Sequence, residues 1–509
     1  MLNLVNEFTA DGLPNLLIKD IPPVSSYPEL AIERPEIYYG ELTDHYVVVN
    51  SKETEFDYPS GENNIYSHYE GMGGVQISNF WRKLLYGWKL GGTRFLFSGY
   101  PSRDSRIMLY RQVKARAGEL APFLQLDEDP YLVIADGKLY WIIDAYTSSR
   151  YYPYSEPFST FRNRTGSSRP GHSDLHGLAG SNLNGQNYLR NAVKVVVDAY
   201  SGETNFYIFD KKDPLVQVYE KIFPDLFKDR SAMPMALQRH VRYPAGMLLV
   251  QGLVYAKYHM TDPAVFYNQE DLWVRATEKY YDDVQPVEPY YIMWKPPGSG
   301  QMEFVLMMPF TPKNKQVMIG WIAGMCDGDH YGRFLAYNFP KEKMVLGTQQ
   351  VETKIDQDSY LSGQLTLWDQ RGSHVIRGNV LAIPLNKTII YVEPIYLQSE
   401  TSAYPELRLV AVMQHDHLGY AETFEGAISN LLTQTSGPLQ RRVRTVIQDQ
   451  SIEALIKEAN DAFEQYLKSM QQKDFDESAE ALKNLQEALQ QLSQKTGHGH
   501  NALTVDQGG

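Results

Sequence analysis

Short apolar runs alternate with polar positions along most of the chain, and this pattern predicts a sheet-rich body. The clearest run is LVIADGKLYWIIDAY, whose two apolar halves meet at Asp136-Gly137, a dipeptide suited to the positive φ angles of a tight hairpin turn. The run KVVVDAYSGETNFYIFD repeats this arrangement around Ser201-Gly202. Because Asp144-Ala145-Tyr146 and Asp198-Ala199-Tyr200 are near-copies, we interpret the two runs as a duplicated hairpin within one sheet.

Helical spacing of apolar residues predicts several further elements. Residues 79–88 and about 105–120 each predict a helix, preceded by a strand pair formed by HYVVVN and TEFDYP. Residues 213–273 predict short helices separated at prolines, and the apolar segment 244–256 is interpreted as one buried helix. Leucine-rich stripes beyond residue 450 predict two antiparallel helices joined by a short turn.

Strand patterns return after residue 288 with few long helices between them, which favours antiparallel or mixed sheets over a doubly wound fold. The predicted class is therefore α+β, with antiparallel or mixed sheets, helical insertions and a C-terminal α-hairpin. The glycine- and serine-rich stretch 161–186 is expected to be a mobile excursion. The predicted regions are a β-rich region with the duplicated hairpin at 1–210, a helical region at 211–285, a second β-rich region at 286–435, the helical hairpin at 450–495 and a disordered tail at 496–509.

Composition narrows the class of protein. The 509 residues carry a formal net charge of -13, which repels a phosphate backbone and argues against nucleic acid as a partner; the only basic cluster considered is Arg441-Arg442-Val443-Arg444. The single cysteine, Cys326, excludes an intrachain disulfide and is expected to be a small core residue. No apolar run is long enough for a membrane span, and the first residues do not resemble a signal peptide. Tyrosine is abundant, at 36 residues, which fits half-buried strands or an aromatic binding surface.

Two histidine pairs and two acidic segments contain residue types that bind metal ions. His415 and His417 lie two apart at a predicted strand end, with Asp416 between them, as strand-borne metal ligands often do; His498 and His500 form a second pair in the tail. The acidic segments Asp127-Glu128-Asp129 and Asp327-Gly328-Asp329-His330 offer oxygen ligands for calcium, but they lack the glycine and terminal glutamate of a helix–loop–helix site. We interpret these segments as turns and element ends.

The sequence contains no recognisable catalytic motif. Glu288, Glu303 and Glu393 lie at strand boundaries and resemble the carboxylate pairs of glycoside hydrolases only in residue type. The loop Gly71-Met72-Gly73-Gly74 lacks the lysine and spacing of a phosphate cradle, and neither a Gly-x-Ser-x-Gly elbow nor a His-Glu-x-x-His helix occurs. The sequence therefore assigns no catalytic, cofactor-binding or metal-binding residue and implies no cofactor.

Eight segments in order along the chain resemble a known family. They are GLPNLLIKDIPP (12–23), RPEIYYGE (34–41), APFLQLDEDPYLVIADGKLYWIIDAYTSS (121–149), NYLRNAVKVVVDAY (187–200), HVRYPAGML (240–248), YHMTDPAVFYNQEDLW (258–273), EFVLMMPFTP (303–312) and GSHVIRGNVLAIPLNKTIIYVEPIYLQSE (372–400). The chain resembles uncharacterised protein family 0182, and its helical tail with the KDF turn resembles that family's ending. The resemblance implies the C-terminal half of a large bacterial multi-pass membrane protein, with an outward-facing soluble region and no established reaction.

These observations give one leading hypothesis and two alternatives. The leading hypothesis is an extracytoplasmic, non-catalytic binding or scaffolding region, soluble as this chain, whose partner is its own or a separate transmembrane domain. The C-terminal helices offer a route to a homo-oligomer. The alternatives are a cell-envelope hydrolase acting on glycan or peptide, with an aromatic pocket and two convergent carboxylates, and a metal-dependent sensor using His415 and His417.

Overall fold

A computed structural model describes residues 4–8, 14–25, 27–61, 63–77, 79–90, 97–158, 185–280, 283–296, 299–340, 342–370, 372–385, 388–399 and 405–433. Several predictions lie outside these residues: residues 161–184 of the predicted loop, the basic cluster at 441–444, the predicted helical hairpin at 450–495, and the tail 496–509 with the pair His498 and His500.

The described helices are short, and strands outnumber them. The helices are α1 (Phe80–Lys89), α2 (Val113–Leu120), α3 (Pro214–Ile222), α4 (Met235–Gln238), α5 (Ala245–Tyr258), α6 (Pro263–Asn268), α7 (Thr348–Gln357), α8 (Ser359–Trp368) and α9 (Phe424–Thr433). Short 3₁₀ turns cover Pro28–Leu30, Arg230–Ala232 and Gly328–His330.

The strands form three main sheets and several small ones. The strands are β1 (Leu4–Phe8), β2 (Pro14–Leu16), β3 (Ile18–Lys19), β4 (Val24–Ser25), β5 (Val47–Val49), β6 (Glu55–Ser60), β7 (Asn63–Ser67), β8 (Val75–Gln76), β9 (Arg106–Met108), β10 (Gln125–Leu126), β11 (Tyr131–Ala135), β12 (Lys138–Ser149), β13 (Tyr188–Asp198), β14 (Thr204–Ile208), β15 (Phe227–Asp229), β16 (Trp273–Arg275), β17 (Thr277–Tyr280), β18 (Asp283–Pro286), β19 (Tyr290–Trp294), β20 (Glu303–Pro312), β21 (Gly320–Met325), β22 (Phe334–Asn338), β23 (Ser373–Arg377), β24 (Leu381–Leu385), β25 (Thr388–Ser399), β26 (Glu406–Gln414) and β27 (His417–Ala421).

The first sheet has the order β10-β12-β13-β14-β15, the second β16-β20-β21-β22 and the third β23-β25-β26-β27, with β11, β19 and β24 paired to β12, β20 and β25 respectively. Pairing within these sheets is antiparallel except between β14 and β15. The predicted α+β class with antiparallel and mixed sheets is therefore confirmed.

Both predicted hairpins lie in the first sheet. Asp136 and Gly137 have φ angles of 49° and 73°, as the tight turn between β11 and β12 requires. Gly202 has a φ of 72° in the second hairpin, and a Cβ there would lie 2.5 Å from the ring of Tyr39. Since β12 pairs with β13 over most of its length, the two hairpins share one sheet as the sequence pattern predicts.

Each main sheet is covered by at least one helix. Helix α2 packs on the first sheet through Val113 and Ala117, and α5 packs on β20 and β21 of the second sheet. The segment 244–256, predicted as a buried helix, is indeed α5, with Leu248 and Leu249 at most 1% exposed. Helices α7 and α8 pack on the third sheet. Side chains also join neighbouring sheets, because the hydroxyl of Tyr290 on β19 donates to the carbonyl of Ala382 on β24 at 3.0 Å.

Two local predictions are wrong. The helix predicted at 105–120 begins only at Val113, because Ile107 is extended and fully buried between β5 and β8, and Tyr110 with a φ of 49° separates strand from helix. The strand pair predicted from HYVVVN and TEFDYP does not form, since β5 pairs with β9 while β6 pairs with β7. The chain turns at Asn50, whose φ is 56°, and this turn ends β5.

Candidate functional site

Helix α1 is the most unusual element of the described surface. Its sequence, FWRKLLYGWK, begins after Asn79, whose side chain accepts a hydrogen bond from the backbone N–H of Arg82 and so caps the helix. Trp81, Leu85 and Trp88 are spaced i, i+4 and i+7, so their side chains lie on one face of the helix. This spacing is the one that normally turns an apolar stripe towards a core.

The stripe of α1 faces outward instead. Trp81 is 70% exposed, Leu85 59% and Trp88 84%. The basic side chains bond to the rest of the chain, because Arg82 donates to the carbonyl of Gln76 at 2.9 Å and Lys83 donates to the carbonyl of Pro101 at 3.1 Å. These two hydrogen bonds attach the helix to the neighbouring backbone, and its aromatic and aliphatic side chains face the solvent.

A shallow groove follows this helix and adds to the apolar area. It has a volume of about 700 Å³, and its lining comprises Val75, Arg82, Leu85, Tyr86, Trp88 and Lys89. Phe80, 66% exposed, packs edge-on against Trp81 with ring centroids 5.9 Å apart. We call Val75, Phe80, Trp81, Leu85 and Trp88 the α1 surface. Its combination of exposed tryptophan, aliphatic groups and adjacent bases is typical of elements that lie in a membrane interface.

A second cleft, of about 580 Å³, opens beside the turns of the two hairpins. Its lining comprises Glu33, Arg34, Glu36, Gly71, Met72, Lys138, Leu139, Asp198, Tyr200 and Ser201. Arg34 lies 4.4 Å from the centre of the Tyr200 ring, and Tyr69 stacks on the same ring at 4.8 Å. Asp198 accepts hydrogen bonds from the backbone N–H groups of Tyr200 and Ser201 and so holds the turn. The aromatic ring of this cleft is thus already packed by protein groups.

The first sheet contains a buried polar pair. Lys194 on β13 is fully buried and contacts Asp144, its cross-strand partner on β12. Burial lowers the pKa of Lys194 well below the ordinary lysine value, and the nearby Asp127 acts in the opposite direction. Since neither side chain reaches solvent, the pair serves the packing of the sheet.

The acidic segments weighed as calcium sites have structural partners. Asp127 accepts hydrogen bonds from the hydroxyl of Tyr146 and from the backbone N–H of Asp129, and Asp129 pairs with Arg242 at 2.5 Å. Glu128 is exposed. Asp327 accepts the backbone N–H of Phe304 at 2.6 Å. The predicted turn roles of both segments fit these contacts.

The three strand-boundary glutamates do not meet as a catalytic pair. Glu303 is bound by His330 at 2.9 Å and by Ser299, whereas Glu393 pairs with Arg377 in another part of the structure. Glu288 lies 3.6 Å from Arg275 at a more exposed position. Each of the three carboxylates therefore belongs to a separate group of contacts.

The paired histidines lie in a turn. His415, with a φ of 54°, and Asp416 connect β26 to β27, and His417 begins the next strand; all three are exposed. Asp416 pairs with Lys354 of α7. Within the described ranges, no group of three or more histidine, cysteine or acidic residues has a geometry able to hold a metal ion.

Cys326 and the glycine loop have packing roles. Cys326 lies in the core beside α5, as expected, and burial raises the pKa of its thiol to about 11. In the loop Gly71–Gly74, Gly73 donates its N–H to the hydroxyl of Tyr69, and its carbonyl accepts a hydrogen bond from Arg106 at 2.6 Å. A Cβ at Gly73 would lie 2.1 Å from the carbonyl oxygen of Ser201, so this glycine permits a close approach to the second hairpin.

Sequence reasoning located α1 but not the direction of its stripe. The spacing of Trp81, Leu85 and Trp88 is the same whether the apolar face of the helix is buried or exposed. The parts of the chain that pack against the helix in the folded structure determine which of the two occurs. Helix α7 was missed altogether. Its periodic Val351 and Ile355, together with the Asp358 cap of the following helix, are the signals that could have indicated it.

Among the described residues, no helix combines the length and apolar character that crossing a bilayer requires. No solved structure matches the chain.

Comparison with known proteins identifies the family to which the chain is similar. Residues 1–368 match the model of the Uncharacterised protein family (UPF0182). The chain is 44% identical over 499 residues to a UPF0182 protein of Pelotomaculum thermopropionicum, an alignment that covers 97% of this chain and 52% of that protein. It is 42% identical over 497 residues to one of Trichodesmium erythraeum, with 97% and 53% covered, and 44% identical over 471 residues to one of Methanospirillum hungatei, with 91% and 50% covered.

The chain thus spans about half the length of these curated relatives. The match covers well over half of this chain and continues at similar identity in relatives from several organisms. The resemblance inferred from the eight sequence segments is confirmed by these matches, and the chain belongs to the Uncharacterised protein family (UPF0182).

Proposed function

We propose that this chain is a non-catalytic binding module that binds the surface of a membrane through the α1 surface. The observation that carries the proposal is the outward stripe of Trp81, Leu85 and Trp88 on a capped helix. Burying such side chains in the interface between headgroups and acyl chains is favourable, because tryptophan places its ring among apolar groups and its N–H among polar ones.

Local charge selects the type of membrane. The chain as a whole is acidic, with a net charge of -13, yet the exposed bases Arg82 and Lys89 lie on the helix that carries the stripe. Each base near an anionic bilayer contributes roughly 1 kcal/mol of attraction. Anionic phospholipid is therefore the proposed occupant of the α1 surface.

In this proposal the module is the extracytoplasmic part of a longer membrane protein. The support is the length of the curated relatives, of which this chain spans about half. The other half would supply the transmembrane partner, and the α1 surface would hold the module against the same bilayer. The helical hairpin at 450–495 is proposed as a route to a homo-oligomer, which light scattering of the chain with and without residues 451–509 would test.

Vesicle co-sedimentation tests the membrane proposal directly. We expect the 509-residue chain to bind vesicles of equal parts phosphatidylglycerol and phosphatidylcholine. The triple variant Trp81→Ala, Leu85→Ala, Trp88→Ala should bind at least about tenfold more weakly, because it loses most of its apolar contact with the interface. A matched control removes two exposed aromatic residues elsewhere, Tyr151→Ala with Tyr267→Ala, and should bind like the unmodified chain.

Failure of the unmodified chain to bind these vesicles would overturn the proposal. Equal binding by the triple variant and the control would assign membrane contact to another surface. Sidedness is tested in the longer relative of Pelotomaculum thermopropionicum by placing a cysteine at the position that aligns with Tyr267, which is exposed and lies outside the α1 surface. Labelling of that cysteine in intact cells by a membrane-impermeant maleimide is expected, and protection until the cells are broken would contradict an extracytoplasmic position.

A further inference from the structure

A dense group of ionisable side chains lies where the β17–β18 hairpin and α7 meet the third sheet. It combines four carboxyl groups with two bases. Its members are Glu278 and Lys279 of β17, Glu352 and Asp356 of α7, Arg377 of β23 and Glu393 of β25. Glu278, Glu352 and Glu393 are each at most 1% exposed, which is rare for ionisable residues that are not fully paired.

The two bases are engaged by only two of the carboxyls. Asp356 pairs with both Lys279 and Arg377, and the Nε of Arg377 donates to Glu393. The other two carboxyls accept from backbone groups instead. The N–H of Lys279 donates to Glu352 at 2.8 and 3.0 Å, and the N–H of Val380 donates to Glu278 at 3.1 Å.

The group is incomplete in two respects. Oε1 of Glu278, Oε2 of Glu393 and Nη2 of Arg377 are buried without a hydrogen-bond partner. With every carboxyl ionised, four negative charges would face two positive ones, an excess of two. The three glutamates are closed to solvent, whereas the side chains of Lys279 and Asp356 are 36% and 32% exposed. An uncompensated buried charge costs several kcal/mol, so this ionisation state opposes the packing that the structure shows.

We propose that this junction is a proton-binding site, in which Glu278 and Glu352 each hold one proton and thereby permit β17 and α7 to pack against the third sheet. Two protons balance the two excess negative charges. When they are lost to solvent, two adjacent buried carboxylates repel each other and Glu393, and the junction loosens. The module would thus be sensitive to the acidity of its compartment.

The pKa values of these groups agree with the geometry. Burial raises the pKa of Glu278 from its ordinary value of 4.5 to about 7, and burial together with the charge of Glu393 raises the pKa of Glu352 to about 8. Between the ordinary and the raised values, the folded chain binds more protons than the unfolded chain. The free energy of unfolding therefore falls as pH rises through this window.

Other charged, titratable or hydrogen-bonding side chains face the two glutamates from each neighbouring element. They are Glu288 before β19, Tyr290 of β19 and Gln285 of β18 around Glu278, with Asp356, Lys279, Arg377 and Glu393 on the side of Glu352. The exposed side chain of Glu288 lies near Arg275, and the opposite charges of this pair leave the net charge around the buried group unchanged.

Urea unfolding of the full chain from about pH 5 to about pH 9 tests the proposal, since each carboxyl contributes up to about a tenfold change in the folding equilibrium per pH unit. We expect the urea midpoint to fall with rising pH in the unmodified chain. In the double variant E278Q/E352Q the fall should be largely absent, because glutamine keeps the acceptor oxygen and cannot ionise. The matched control is E342Q at an exposed position, which should follow the unmodified chain.

Infrared spectroscopy of the unmodified chain gives an answer even if the double variant does not fold. A protonated-carboxyl band present near pH 6 and lost by about pH 9 is expected, since Glu278 and Glu352 titrate in that interval. Absence of that band near pH 6 overturns the proposal. A double variant whose urea midpoint falls with pH as steeply as that of the control overturns it equally.

Discussion

Helices α1 and α5 are both rich in apolar residues, but only α5 buries them. Helix α5 is apolar almost all round and is enclosed by the second sheet, where Leu248, Leu249 and Val250 are at most 4% exposed. Helix α1 has a one-sided stripe, and that stripe points away from the rest of the described chain. The difference separates two uses of the same residue types, because α5 stabilises the fold whereas α1 is available for a contact made elsewhere.

The largest expected difference between the two helices appears when a charged residue is introduced into each of them. We expect Leu249→Glu in α5 to abolish cooperative folding, since an unpaired carboxylate in a closed core costs several kcal/mol. Leu85→Glu in α1 should leave the far-ultraviolet circular dichroism and the urea transition unchanged. If both variants unfold, α1 is part of the core in solution.

A smaller change measures the packing of each helix. Leu248→Ala should lower the free energy of unfolding by about 3 kcal/mol, because the leucine is fully buried and its removal leaves a cavity. Leu85→Ala should change it by less than about 0.5 kcal/mol. Urea titrations of the two variants under identical conditions supply the measurement, and equal losses would contradict the contrast between the helices.

Charge on α1 is expected to contribute a moderate effect on binding and none on folding. Lys89→Gln should weaken binding to anionic vesicles about fivefold, which corresponds to roughly 1 kcal/mol for one base near an anionic surface. Lys221→Gln on the exposed side of α3 is the control and should bind normally. A Lys89→Gln variant with unchanged binding would show that the attraction is purely apolar.

The smallest expected effect is that of the α1 tryptophans on the packing of the core around α5. Cys326 packs in the same cluster as α5, and its thiol is buried with a pKa raised to about 11 by burial. The double variant Trp81→Ala, Trp88→Ala should therefore leave the rate of Cys326 alkylation unchanged, while Leu248→Ala should accelerate it. Faster alkylation in the tryptophan variant would mean that α1 also supports the core.

The sequence was most informative where local rules act alone. The Asp136-Gly137 turn, the helix predicted at 79–88 and the buried apolar segment 244–256 each follow from a few neighbouring residues, and each is found within about two residues of its predicted bounds. Ile107 is the counterexample. It fits a helical stripe by spacing, but the partners that fix it in a strand lie on β5 and β8, far away in the sequence.

The candidate sites depended on such distant partners. Nothing near Glu352 in the sequence reveals that Glu278 and Glu393 will lie beside it, because the three residues come from separate elements. The outward direction of the α1 stripe has the same origin, since it follows from how Lys83 and Arg82 bind the neighbouring backbone. His415 and His417 illustrate the reverse case, in which a suggestive spacing meets no further ligand among the described residues.

The pair formed by Lys194 and Asp144 has a consequence for how the first sheet assembles. The near-identical segments Asp144-Ala145-Tyr146 and Asp198-Ala199-Tyr200 lie within β12 and at the end of β13, so the local sequence alone allows these two strands more than one alignment. A slip of one residue would turn Lys194 towards the opposite face and leave both polar side chains enclosed among apolar ones. Asp198, in the matching position of the second copy, is already bound to the turn amides of Tyr200 and Ser201. A single buried lysine thus distinguishes the correct strand alignment from its closest competitors.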